Sequence, residues 1–347
     1  KMDVASVLPS STTLRPVSGS PAPSEDSPEG NEGATVEVAK KRNQLFSKTP
    51  FPSYRSGPLP AEAKYLLVGG DSKVETLQSL LSLRELWISR GVTGEEISVY
   101  WIKPDEEEYR ASRSAYRALS GATPSFYLAS PLHVYRHLEK VADHGHEEVY
   151  LHIISEGRAP GPVPLSSERH SVSVDHNEFS DQYRMMLAGG PVGRISESAR
   201  WDSLKSGVPA RDLLLTPRYL RAELEALPAS MEKVVVLDGA HSGGFVETGT
   251  RGERSEVLRH LPNLTVFHSH RFDRGTADIR GAYTRIFVEE LSQVESSGAS
   301  ISWITIANRV ARNISELEAE AGVLEGEECF PGFETSSPRA MVVGNSP

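Results

Sequence analysis

Short apolar runs recur along this chain at a spacing that leaves few folds open. Tyr65-Leu66-Leu67-Val68, Ile97 to Ile102, Val149 to Ile154, Val234 to Leu237 and Leu264 to Phe267 each span only four to six residues. Three of them break off at polar or glycine-rich turns: Gly69-Gly70-Asp71, Ser155-Glu156-Gly157-Arg158 and Asp238-Gly239. Runs of this kind predict strands buried on both faces. Between them lie stretches of helical spacing. Leu77, Leu80, Leu81, Leu83, Leu86 and Trp87 share a period that stops at Arg90-Gly91, with Gly91 placed to end the helix. Tyr127 to Ala142, Pro217 to Leu227, Tyr283 to Val294 and Ile304 to Ala321 read the same way, and the stretch from Val323 reads as loop with one short edge strand. Strands joined by crossovers of ten or more residues pair in parallel. The expected architecture is therefore an α/β three-layer sandwich with a central, mostly parallel sheet of about six strands, and ligands in such sheets bind at the carboxyl ends of the strands.

Organisation and composition narrow the function classes. Residues 1–45 are rich in Ser, Pro, Glu and Gly with few large apolar groups, which predicts a disordered leader; residues 46–347 hold the domain. A long excursion of weak periodicity is expected at about 158–216. A net charge of −10 argues against a nucleic-acid partner, because phosphate binding draws on clustered Lys and Arg. No apolar run is long enough for a membrane-spanning helix. One cysteine, Cys329, excludes an internal disulfide and a Cys-based metal cage, and its acidic surroundings (Glu325, Glu327, Glu328) are expected to raise its pKa. Neither a cytoplasmic nor an exported home is favoured by these residues.

The most specific stretch is Asp238-Gly239-Ala240-His241-Ser242-Gly243-Gly244, directly after the fourth predicted strand. It resembles the D-x-C-H-S-G segment of metacaspases and bacterial caspase-like peptidases, shared in looser form by legumain-type enzymes. Leu67-Val68-Gly69-Gly70-Asp71 and Gly281-Ala282-Tyr283-Thr284 are similar to two weaker family landmarks in the same order, so the resemblance runs from about Lys64 to Val343. It implies a caspase-like fold without a cofactor. It also implies a cysteine nucleophile at the tip of a central strand, turn N–H groups that stabilise an oxyanion, and a histidine at the neighbouring strand end. At the nucleophile position this chain has Ala240. The family's S-G-H-G segment falls on Ser155-Glu156-Gly157-Arg158, which places Gly157 at the histidine position.

Two losses at one site favour a catalytically inactive domain that binds a peptide or protein segment through the former cleft. The alternative is a cysteine endopeptidase inactivated by a Cys-to-Ala change at position 240. Ser155, Arg158, Asp238, Gly239, His241 and Ser242 are the residues the resemblance places at the substrate cleft, with Arg271 and Asp273 also at strand ends. His152 is a candidate substitute base but reads more simply as a packed histidine. Ser242 beside His241 suggests a hydrolytic pair, although both types accompany the cysteine in the family. His268-Ser269-His270 would ligate zinc only with a third ligand that no spacing supplies, so no metal is expected. Gly69-Gly70-Asp71 lacks the pattern of a phosphate loop and reads as a turn. If the two losses are independent, Cys at 240 combined with His at 157 is expected to restore more than either change alone.

Overall fold

The computed structural model describes residues 54–55, 57–119, 124–160, 182–247, 257–274, 282–294, 302–324 and 327–337. The leader at 1–45, the middle of the excursion at 161–181 and Gly281 lie outside them.

The five apolar runs form the five central strands: β1 (Tyr65–Gly69), β2 (Ile97–Trp101), β4 (Glu148–Ile154), β7 (Glu232–Asp238) and β8 (Leu264–His268). Among the described residues seven strands make the sheet, which adds the edge strands β3 (Tyr127–Leu128) and β9 (Gly332–Thr335) in the order β3-β2-β1-β4-β7-β8-β9. On one side is β3; on the other is β9, which runs antiparallel to β8. The stretch expected to be helical from Tyr127 thus begins as a strand, and its helix starts at Pro131. Proline fixes φ at the first helical position, and the Ser130 hydroxyl accepts the His133 N–H as an N-cap.

Helices cover both faces. On one lie α1 (Val74–Ser89), α2 (Glu106–Leu119), α7 (Ala282–Ser292) and α8 (Trp303–Ala321). On the other lie α3 (Pro131–Asp143), α5 (Ala210–Leu213) and α6 (Pro217–Ala226), with α4 (Glu197–Lys205) against α5. Alternation along β4 divides the two cores. Leu151 and Ile153 join Leu220 and Leu224 on one side, while on the other Tyr150 packs against Tyr65 and Trp87 and His152 meets Phe287 of the cluster it forms with Phe267 and Trp303. α1 ends as predicted, with Gly91 at φ +87°. Lys233, buried at the amino end of β7, donates to the carbonyls of Pro228, Met231 and Pro262 at 3.1, 2.9 and 3.2 Å.

At the start of the excursion β5 (Glu156–Arg158) pairs with β6 (Arg184–Met186) from within it, as a small antiparallel ribbon directly beyond β4. This ribbon lies at the carboxyl end of the sheet.

Candidate functional site at the strand ends

β4 and β7 are parallel neighbours in register from Glu148 opposite Glu232 to Ile154 opposite Asp238, so both turns emerge side by side. The Ser155 N–H donates to the Asp238 carbonyl at 2.9 Å and continues the ladder by one bond. Beyond it the chains touch. A Cβ built on Gly157 would lie 1.5 Å from the Ala240 carbonyl oxygen, and one on Gly239 would lie 2.1 Å from the Ser155 carbonyl. Both glycines are required by close backbone approach, and Gly157 has no positive φ. The structure therefore brings together the two positions that the resemblance pairs. It also corrects one expectation: a histidine at 157 has no place for its first side-chain atom, so the double change cannot rebuild the site in this arrangement.

The turn is held from several sides. His241 adopts a left-handed conformation (φ +57°), its Nδ1 bonds the Phe272 carbonyl at 2.9 Å, and its N–H donates to the Arg274 carbonyl at 2.8 Å. Ser242 is buried, and its hydroxyl accepts the His270 N–H at 3.1 Å. These adjacent side chains have separate partners and make no hydrolytic pair. Ser155 is buried and donates to the Met186 carbonyl at 2.7 Å, tying the turn to the ribbon. Tyr183 packs its ring on Gly244, where a Cβ would meet it at 2.1 Å.

Asp238 anchors the site from within. Its Oδ2 accepts the Thr284 N–H at 3.1 Å and the Thr284 hydroxyl at 2.6 Å. That hydroxyl lies 2.9 Å from His152 Nε2, whose Nδ1 is 2.9 Å from the Tyr150 hydroxyl. Since Thr284 donates to Asp238, it accepts from His152, and the neutral Nε2–H tautomer then accepts from Tyr150 at Nδ1. Burial holds the His152 pKa down to about 3. The residue considered as a substitute base is thus a core histidine, facing Phe287 rather than the strand ends.

Of the residues the sequence placed at the cleft, Ser155, Asp238, Gly239 and Ser242 are buried in the framework, whereas Ala240 and His241 are partly exposed and Arg158 is exposed. Arg158 pairs with Glu156 at 2.7 Å. Arg271 and Asp273 form a two-bond pair at the rim that draws the Asp273 carboxyl below its usual range. Beside them stands a feature that sequence reasoning missed. Phe330, 46% exposed and left-handed at φ +50°, has the guanidinium groups of Arg271 and Arg274 at 5.4 and 5.6 Å from its ring. Its only signal was an aromatic inside an otherwise polar loop.

Cys329 is buried, with Sγ 3.2 Å from His270 Nε2 and its N–H on Glu318 at 2.7 Å. Its pKa is raised as expected, but the cause is burial first and Glu318 second. Among the described residues no group of three His, Cys, Asp or Glu could hold a metal ion, and no helix is long and apolar enough to cross a membrane.

No family model matches the chain, and no curated protein matches it. Among solved structures it is similar to caspase-1 from Spodoptera frugiperda, with 12% identity, a TM-score of 0.44, and coverage of 85% of this chain and 99% of that one. It is similar to a protein from Geobacter sulfurreducens at 11% identity and a TM-score of 0.41, covering 82% of this chain and 94% of that one. It is also similar to the Drosophila initiator caspase Dronc at 10% identity and a TM-score of 0.34, covering 85% of this chain and 97% of that one.

Proposed function

We propose that this chain is a caspase-like domain without peptidase activity that holds a peptide or protein segment at the carboxyl end of its sheet. The observation that carries the reading is the contact between Gly157 and the Ala240 carbonyl, which fills the space an imidazole would need between the two strand ends. Amide cleavage by a thiol requires a nucleophile and a positioned acid for the leaving amine, and general acid–base help is worth ~10²–10⁴-fold. At this site the first is an alanine and the second has no room. For binding, the support is the rim: an exposed aromatic flanked by two guanidinium groups has the composition of an interface anchor.

The test has two arms. The chain and its Ala240→Cys variant are assayed on short peptides with Arg, Lys, Asp or Asn before the scissile bond, and both are expected to be nearly inert. Peptides selected from a random library on the unaltered chain are then measured by fluorescence polarisation, with Phe330→Ala expected to weaken binding about tenfold or more. Strong cleavage by Ala240→Cys would instead establish a working cysteine endopeptidase whose nucleophile has been replaced. Binding indifferent to Phe330 would move the bound segment away from this rim.

A further inference from the structure

The β5–β6 ribbon has two faces with different chemistry. Gly157 and Met185 oppose one another and meet the strand-end turn; Arg158 and Arg184 oppose one another on the other face. Like charges directly opposite on paired strands repel. Arg184 is only 4% exposed, with its guanidinium 5.9 Å from the Trp201 ring. Nη1 makes one long bond, 3.5 Å to the Gln182 carbonyl, and the buried Nε has no partner. Among the described residues no carboxylate reaches ion-pair distance of it, and Glu197 acts on it only from farther away.

Among the described residues the other buried cations are better satisfied, although the Nε of Arg200 also lacks a partner. Arg200, 3% exposed, donates from Nη1 and Nη2 to the carbonyls of Leu213 and Leu187, and Lys233 has its three carbonyls. A buried guanidinium without compensation is costly, and its Nε/Nη2 edge is the fork that grips two oxygens of one anion. We propose that the Arg158–Arg184 face of this ribbon is an oxyanion site, where Arg184 offers that edge to a carboxylate or phosphate group and Arg158, otherwise paired with Glu156, closes over it. The site shares Arg158 with the residues the resemblance places at the cleft, but it stands without the peptide-binding reading because Arg184 and its ribbon face carry it.

The experiment follows thermal stability of the full chain with inorganic phosphate, with acetate and with chloride at matched ionic strength. A saturable rise with phosphate or acetate, absent with chloride, is expected, and the stronger of the two names the group. Arg184→Met is expected to abolish the rise while leaving the anion-free melting temperature unchanged or higher, because it removes an uncompensated charge. Arg158→Gln, on an exposed side chain, is expected to fold normally and weaken the apparent affinity about tenfold, the scale of one charge-assisted hydrogen bond. The proposal is overturned if neither oxyanion acts beyond chloride, or if Arg184→Met keeps the full response. It is equally overturned if Glu197→Gln destabilises the anion-free chain while the unaltered chain ignores both anions, since Glu197 would then be the counter-charge.

Discussion

At position 157 the chain has no room for a side chain, and the obstacle is the Ala240 carbonyl rather than backbone torsion. Gly157→Ala is therefore expected to destabilise the fold by more than about 3 kcal/mol, beyond ordinary overpacking, because the atom it meets is backbone that cannot rotate away. Ala240 is partly exposed, so Ala240→Cys should change stability by less than about 0.5 kcal/mol. Denaturant midpoints of the two variants check this pair, and similar values would show that the turn yields. The two thiols of Ala240→Cys should also separate. Cys329 is buried with its pKa raised, so the folded parent chain is expected to resist a thiol reagent until it is unfolded. The variant should gain one rapidly labelled thiol; prompt labelling of the folded parent would mean that the loop carrying Cys329 opens readily.

At the scale of elements, Thr284 at the start of α7 locks that helix to the carboxyl end of β7 through Asp238, and to the middle of β4 through His152. Thr284→Val keeps shape but removes the hydroxyl from both partners. A loss of about 1–3 kcal/mol is expected, with Asp238→Asn coupled to it in a double-mutant cycle; additive effects would show that the chain of bonds is not a unit. Both residues belonged to landmarks legible in the sequence, 46 positions apart, and folding joins them. The central strands were legible because burial on both faces writes an unbroken apolar run. The ribbon was not, because three-residue strands carry no period and their pairing is set by contact with the turn. Helix α2 also escaped notice: its buried residues are only Tyr109 and Tyr116, set among charges, with Glu106, Glu107 and Glu108 at its amino end. At the site, the sequence showed what stands at 240 and 157 but not that the two positions touch.

Over the whole molecule, three histidines on separate elements are held neutral, His137 and His152 fully buried and His268 half-buried. His137 on α3 lies between the Ala63 carbonyl and the Tyr100 hydroxyl, His268 on β8 donates to the His270 carbonyl, and His152 sits in the chain leading to Asp238. Burial pulls the pKa values of His137 and His268 down to about 4 and that of His152 down to about 3. In the unfolded chain each titrates near about 6.5. Below that value the unfolded state binds protons that the folded state refuses. The stabilisation is therefore fully present above about pH 6.5 and lost as the pH falls toward the folded values. Each histidine contributes a slope of up to about 1.4 kcal/mol per pH unit, so the three together approach about 4 kcal/mol per unit near pH 5. Guanidinium denaturation at a series of pH values between about 7.5 and 4.5 measures this directly. His152→Gln, whatever it does to stability near neutrality, should lower the slope by about one histidine's share. A stability that stays flat down to pH 5, or a slope that His152→Gln leaves unchanged, would show that these rings gain protons without unfolding and that the core beneath the site is open to water.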